Sequence, residues 1–79
     1  MRFHWYPENA AHVARHHLAT VDVEAIFAAD DFAARQSLPK GRWEGEGTVA
    51  GKPFRVVFTR PGPDEVLVIT AFRTRRRRV

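Results

Sequence analysis

The sequence predicts an α+β fold: a small antiparallel β-sheet with two N-terminal helices packed on one of its faces. Three observations lead there. Apolar residues recur at helical spacing between Pro7 and Phe27, the pattern changes to period two from Phe32 onward, and 79 residues suffice for only one core. A chain this short buries about 60–65% of the surface that its unfolded form exposes, so residues 1–79 form a single domain.

Phe3, His4 and Trp5 make a short extended run ahead of Pro7, which suits the first turn of a helix because its missing N–H would have no partner there. From Pro7 to about His17, Ala10, Val13, Ala14 and then His17 or Leu18 lie at helical spacing. Glu8 stands at the positive end, and Arg15, His16 and His17 stand at the negative end. A break at Leu18–Ala19 leads to Thr20, a candidate N-cap, and a second short helix with Val23, Ile26 and Phe27 in one apolar stripe, which packs through Ile26 and Phe27. Phe32–Gln36 reads as a strand and "SLPKG" as a loop. In "RWEGEGTV", Trp43, Gly45, Gly47 and Val49 form an apolar or bare face, and Arg42, Glu44, Glu46 and Thr48 form a polar one. "AGK" is a hairpin turn, and "PFRVVFTR" puts Phe54, Val56 and Phe58 opposite Arg55, Val57 and Thr59. After the turn "PGPD", the run "EVLVITAF" has the composition of a central strand covered on both faces. The order is strand, helix, helix, then three or four antiparallel strands, with one sheet face left without a cover.

Composition narrows the function. There is no cysteine, which excludes a disulfide framework and a Cys-based zinc site. No apolar stretch approaches the roughly 18 residues of a membrane span, and "MRFHWYPENA" lacks the apolar core of a signal peptide, so a chain that is neither membrane-bound nor exported is expected. The net charge of +4 is uneven: residues 1–39 sum to −2 and residues 40–79, with ten Lys and Arg against four carboxylates, to +6. A basic half of this kind suits a polyanion or an acidic protein, and it also serves plain solubility.

Strand alternation places Arg55 on the uncovered face. Counting period two along the last strand puts Arg73 and Arg75 on the face of Leu67, Ile69 and Ala71, beside Arg55, with Arg42, Glu44 and Glu46 next to them. Arginines with one or two carboxylates on an open face are suited to holding phosphates. The alternative is a solvated face laced with cross-strand ion pairs such as Glu44 to Arg55. His12 and His16, at i and i+4, have the spacing of a metal pair, but no third ligand is evident and no metal is expected. They read more simply as histidines on an exposed helix face. His16 would become a proton carrier if its helix end abuts the basic face. Trp5, Tyr6 and Trp43 either close the edge of the core or stack on bases.

"FHWYPENAAHVARHH", "VEAIF", "RWEGEGTVAGKPFRVVFT" and "DEVLVITAFRTRRRR", in this order and spacing, resemble the BrnT family of type II toxins, whose fold is similar to that of RelE-type ribonucleases. The resemblance spans nearly the whole chain. It implies a cytoplasmic, cofactor-free and metal-independent endoribonuclease that inhibits translation. It also implies a hetero-oligomer with a BrnA-like cognate antitoxin. Carried over by position, it implies catalytic roles for Arg55, Arg73 and His16; for such a reaction Glu44 or His16 would be the base or acid, and Arg42, Lys52, Arg60, Arg75 and Arg76 would bind the RNA strand. The sequence departs from that family at Tyr6, where a small polar or acidic cap is usual, at Phe72, where another arginine is common, and at Val79, where relatives continue into a helix. A reading of a different class is a non-catalytic basic module that binds nucleic acid or an acidic protein through the same sheet face.

Overall fold

A computed structural model describes residues 1–37 and 41–75. The chain order is β1 (Arg2–His4), α1 (Pro7–Ala14), α2 (Thr20–Phe27), β2 (Ala33–Ser37), β3 (Arg42–Val49), β4 (Lys52–Thr59) and β5 (Glu65–Arg73). The five strands form one sheet in the order β1-β5-β4-β3-β2, and both helices lie in the N-terminal half, as an α+β architecture requires. β2 to β5 pair antiparallel, whereas β1 pairs parallel to β5, so the sheet is mixed rather than purely antiparallel. Both helices and the other three strands lie between β1 and β5 in the chain, far more than the dozen residues that a parallel connection needs. β4, not β5, holds the middle position. β5 is buried on one face only, through Val66, Val68 and Ala71. Among the described residues, no helix is long and apolar enough to cross a membrane.

The core consists of Val13 from α1, Val23 and Ile26 from α2, and Val56, Phe58, Val66, Val68 and Ala71 from the sheet. α2 packs on the bare face of β3. A Cβ added at Gly47 would meet the Ile26 carbonyl oxygen at 2.7 Å, and one added at Gly45 would meet the Phe32 ring at 2.6 Å, so these two glycines set how closely α2 and its exit approach the sheet. Phe27 sits among Phe3, Phe32 and Phe58 with ring centroids 4.9–5.1 Å apart. Trp5 belongs to this packing and donates its indole N–H to Glu24 at 2.9 Å, while Trp43 stacks on Phe58.

The helix termini are closed differently from the sequence expectation. At α1, Tyr6 makes no side-chain cap, and Asn9 supplies the reciprocal half of a capping box: its Oδ1 accepts the Tyr6 N–H at 2.7 Å. At α2, Ala19 rather than Thr20 is the N-cap, because Asp22 Oδ2 accepts the Ala19 N–H at 2.7 Å and Thr20 already has helical geometry. α1 ends at Ala14, before His17, in a Schellman closure. His17 takes the left-handed conformation (φ 65°), Leu18 N–H donates to the Val13 carbonyl and His17 N–H to that of Ala14.

Beyond His4, β5 has lost its β1 partner, and Asn9 takes over. Its Nδ2 donates to the His4 carbonyl at 3.0 Å and to the Val68 carbonyl at 2.9 Å, so that one nearly buried amide joins β1, α1 and β5. Asn9→Asp keeps the shape and the acceptor for Tyr6 but turns a carboxylate toward two carbonyls. We expect it to lower stability by about 3 kcal/mol at neutral pH, read as a urea midpoint shift with unchanged slope. The β3–β4 hairpin has a two-residue loop with Ala50 at φ 52° and Gly51 at φ 78°, the backbone of a type I′ turn. Alanine is strained in that conformation and asparagine tolerates it. Ala50→Asn is therefore expected to stabilise the fold by about 0.5–1 kcal/mol in the same assay.

Candidate functional site

β4 sends Phe54, Val56 and Phe58 toward the helices and Arg55, Val57 and Thr59 to the uncovered face. The register sets Glu46 of β3 and Phe72 of β5 directly opposite Arg55, so these three side chains lie in one row across that face. Arg55 Nε donates to Glu46 Oε2 at 3.0 Å and Nη2 donates to the same oxygen. Two of the five guanidinium N–H groups are thereby used and three remain for another acceptor. The pair is part-exposed, with 33% of the Arg55 and 30% of the Glu46 side chain open to solvent.

The fourth member of the row comes from α1. Because the Schellman closure ends the helix at the β5 edge, the exposed His16 ring comes to rest 5.8 Å from that of Phe72, tilted by 47°. The row therefore reads His16, Phe72, Arg55, Glu46.

Cations gather at the same end of the sheet. Lys52 begins β4, Arg73 stands opposite Phe54, and the Thr74 N–H donates to the Pro53 carbonyl at 3.0 Å, so that Arg75 leaves the sheet beside them. All three are exposed, and among the described residues none has a carboxylate within salt-bridge range. Asp31, the other acid held against this end, accepts the Thr48 N–H at 2.9 Å and the Thr48 hydroxyl at 2.7 Å. Four cations against the carboxylates of Glu46, of the engaged Asp31 and of its exposed neighbour Asp30 leave this end with a small excess of positive charge.

Several expected placements are corrected. Arg73 does not share the uncovered face with Arg55. A β-bulge in β5 inserts Ile69 where Val57 pairs with Thr70 and Phe58 with Val68, and this extra residue reverses the faces that follow: Ala71 and Arg73 take the helix side, and Phe72 takes the open side. Glu44 stands opposite Arg35 and Val57, two residues from the row, and the carboxylate that touches Arg55 is Glu46. Arg42 pairs with Thr59, and the Arg60 guanidinium lies 4.8 Å over the Trp43 ring. Both sit at the opposite end of an eight-residue strand, about 23 Å from Lys52 at roughly 3.3 Å per residue. Arg76 lies outside the described residues. No group of three or more metal-ligating side chains occurs among the described residues, and His12 instead lines an apolar groove with Tyr6, Asn9, Leu67 and Ile69.

The Glu46 partnership was available from the sequence by counting back from the turn: 49 opposite 52, then 48 and 53, 47 and 54, 46 and 55. The Phe72 position was not, because nothing in "VLVITAF" announces a bulge. Compared with models of known protein families, with curated proteins and with solved structures, the chain matches none.

A double-mutant cycle of Arg55→Ala and Glu46→Ala should return a coupling of about 0.5–1 kcal/mol that shrinks as salt is added, as befits a part-exposed pair. Zero coupling at low salt would mean that Glu46 does not hold Arg55 in solution.

Proposed function

We propose that this chain is a metal-independent endoribonuclease of the kind that serves as toxin in type II toxin–antitoxin systems. In this reading it acts on RNA in the cytoplasm, inhibits translation, and is held inactive by a cognate antitoxin chain in a hetero-oligomer. The support is an exposed histidine at the end of the row of Phe72, Arg55 and Glu46 on the uncovered face, with Lys52, Arg73 and Arg75 at the same end of the sheet. The resemblance to BrnT-family toxins agrees with it.

Cleavage of RNA through its own 2′-hydroxyl moves two protons. The 2′-oxygen attacks the adjacent phosphorus and gives its proton to a base. The bond from phosphorus to the 5′-oxygen breaks, and that oxygen takes a proton from an acid, leaving a 2′,3′-cyclic phosphate and a 5′-hydroxyl end. The negative charge that builds on the phosphorane needs fixed cations. Arg55 serves the phosphorane through the N–H groups that Glu46 leaves unused, and Glu46 fixes the guanidinium plane. Histidine exchanges protons readily near neutral pH, so His16 is one proton carrier. Glu46 takes over from Glu44 as the carboxylate of the site. Lys52, Arg73 and Arg75 guide the flanking phosphates.

One observation favours the second reading, a basic module that binds without cutting: Arg55 is already engaged by Glu46, and Phe72 stands between it and His16. The two readings separate in one assay of labelled single-stranded RNA in EDTA. The wild type is expected to cleave. Arg55→Ala should slow cleavage by about 10²–10³-fold, and His16→Gln by at least about 10², with both variants folded. Full activity in the Arg55→Ala/His16→Gln double variant would refute the site. If RNA is bound but never cut, with or without ribosomes, the module reading stands. In that case Lys52→Ala and Arg73→Ala should each lower the slope of log K against log salt by about 0.7.

A further inference from the structure

Phe72 has no role in the core. Of the six phenylalanines, Phe58 is buried in the central cluster, and Phe3, Phe27, Phe32 and Phe54 pack against it; Phe72 is outside it. The bulge at Ile69 turns the Phe72 ring onto the uncovered face, directly across from Arg55. On that face its same-strand neighbour is the shorter Thr70, and the next residue along β4 is Val57. Its contact with His16, 5.8 Å between centroids at 47°, is neither an offset stack nor an edge-to-face pair. A half-buried aromatic ring that is not part of the core, set in register with a phosphate-binding arginine at the end of the sheet where Lys52, Arg73 and Arg75 also lie, has the composition of a single-strand binding platform: one π-face for a base and nearby cations for the backbone.

We propose that Phe72, with His16 leaning on it, is the seat for one nucleobase of the RNA strand whose phosphate Arg55 receives. This rests on the RNA reading above and adds a stacking subsite to it. Stacking grips the plane of a base rather than its hydrogen-bonding edge. The subsite therefore accepts any base, favours purines for their larger overlap, and makes Phe72 the residue that positions the strand along the row.

The test uses the full chain and a short single-stranded RNA that is 2′-O-methylated throughout so that it cannot be cut. One 2-aminopurine is moved through each position in turn. Affinity is read by anisotropy and stacking by quenching of the 2-aminopurine. The wild type should quench strongly at one position. Phe72→Leu, which keeps apolar bulk without a ring, should lose that quenching and bind about 5- to 100-fold more weakly, and Phe72→Trp should restore both. On an oligomer of abasic ribose phosphates, all three proteins should bind alike with equal salt slopes. If Phe72→Leu matches the wild type in affinity and quenching while Lys52→Ala and Arg73→Ala still lower the salt slope, the stacking subsite is wrong and the RNA reading survives. If the wild type shows no salt-dependent RNA binding, the RNA reading fails and the subsite with it.

Discussion

The side-chain amide of Asn9 is the contact on which the rest of the arrangement depends. β1 is only three residues long, while β5 has nine, so much of β5 would present an open edge with unpaired backbone groups. Asn9 closes it at the point where β1 stops, accepting from Tyr6 and donating to the carbonyls of His4 and Val68. A single buried residue thus begins α1, ends β1 and docks the helix along the β5 edge. It also fixes the Tyr6 backbone at the start of the helix, where Tyr6 itself makes no side-chain cap.

What α1 does at its other end follows from that docking. With its start fixed to the edge and Val13 in the core, the helix can only run alongside β5. The Schellman closure at His17 then stops it level with Phe72. His16 reaches the uncovered face around the edge of the sheet, although both helices belong to the opposite layer. α2 makes the complementary contribution by settling on the bare strip of Gly45 and Gly47, where side chains would hold it off. Because both helices take the same face, the other face is left to a row of polar and charged side chains with Phe72 among them.

The distribution of charge shows how local register becomes chemistry. Glu46 and Arg55 meet because a two-residue turn at Ala50 and Gly51 puts them opposite each other, and Lys52 begins the strand at that same turn. Arg73 and Arg75 arrive from β5, which ends there. Arg42 and Arg60 are as basic, but register assigns them to the far end, where Arg60 covers Trp43. The basic half of the chain is therefore divided along the sheet. Only one portion of it lies at the end of the sheet that His16 reaches, which is why a charge count along the sequence overstated the number of arginines that can act together.

The sequence by itself determined the class of fold, the two helices with their apolar stripes, the β3–β4 hairpin, and the placement of Arg55 on the uncovered face. Each of these depends on interactions within a few residues, or across one tight turn, where periodicity and turn chemistry are read directly. Only the tertiary structure decided the parallel pairing of β1 with β5, the docking of His16 on the open side, and the exchange of Arg73 for Phe72 as the neighbour of Arg55. The first two follow from long-range packing that no local pattern encodes. The third follows from one inserted residue, Ile69, in a run of apolar and β-branched side chains without a glycine or proline to mark it. In a strand with a period of two, one such residue is enough to exchange the faces of everything beyond it.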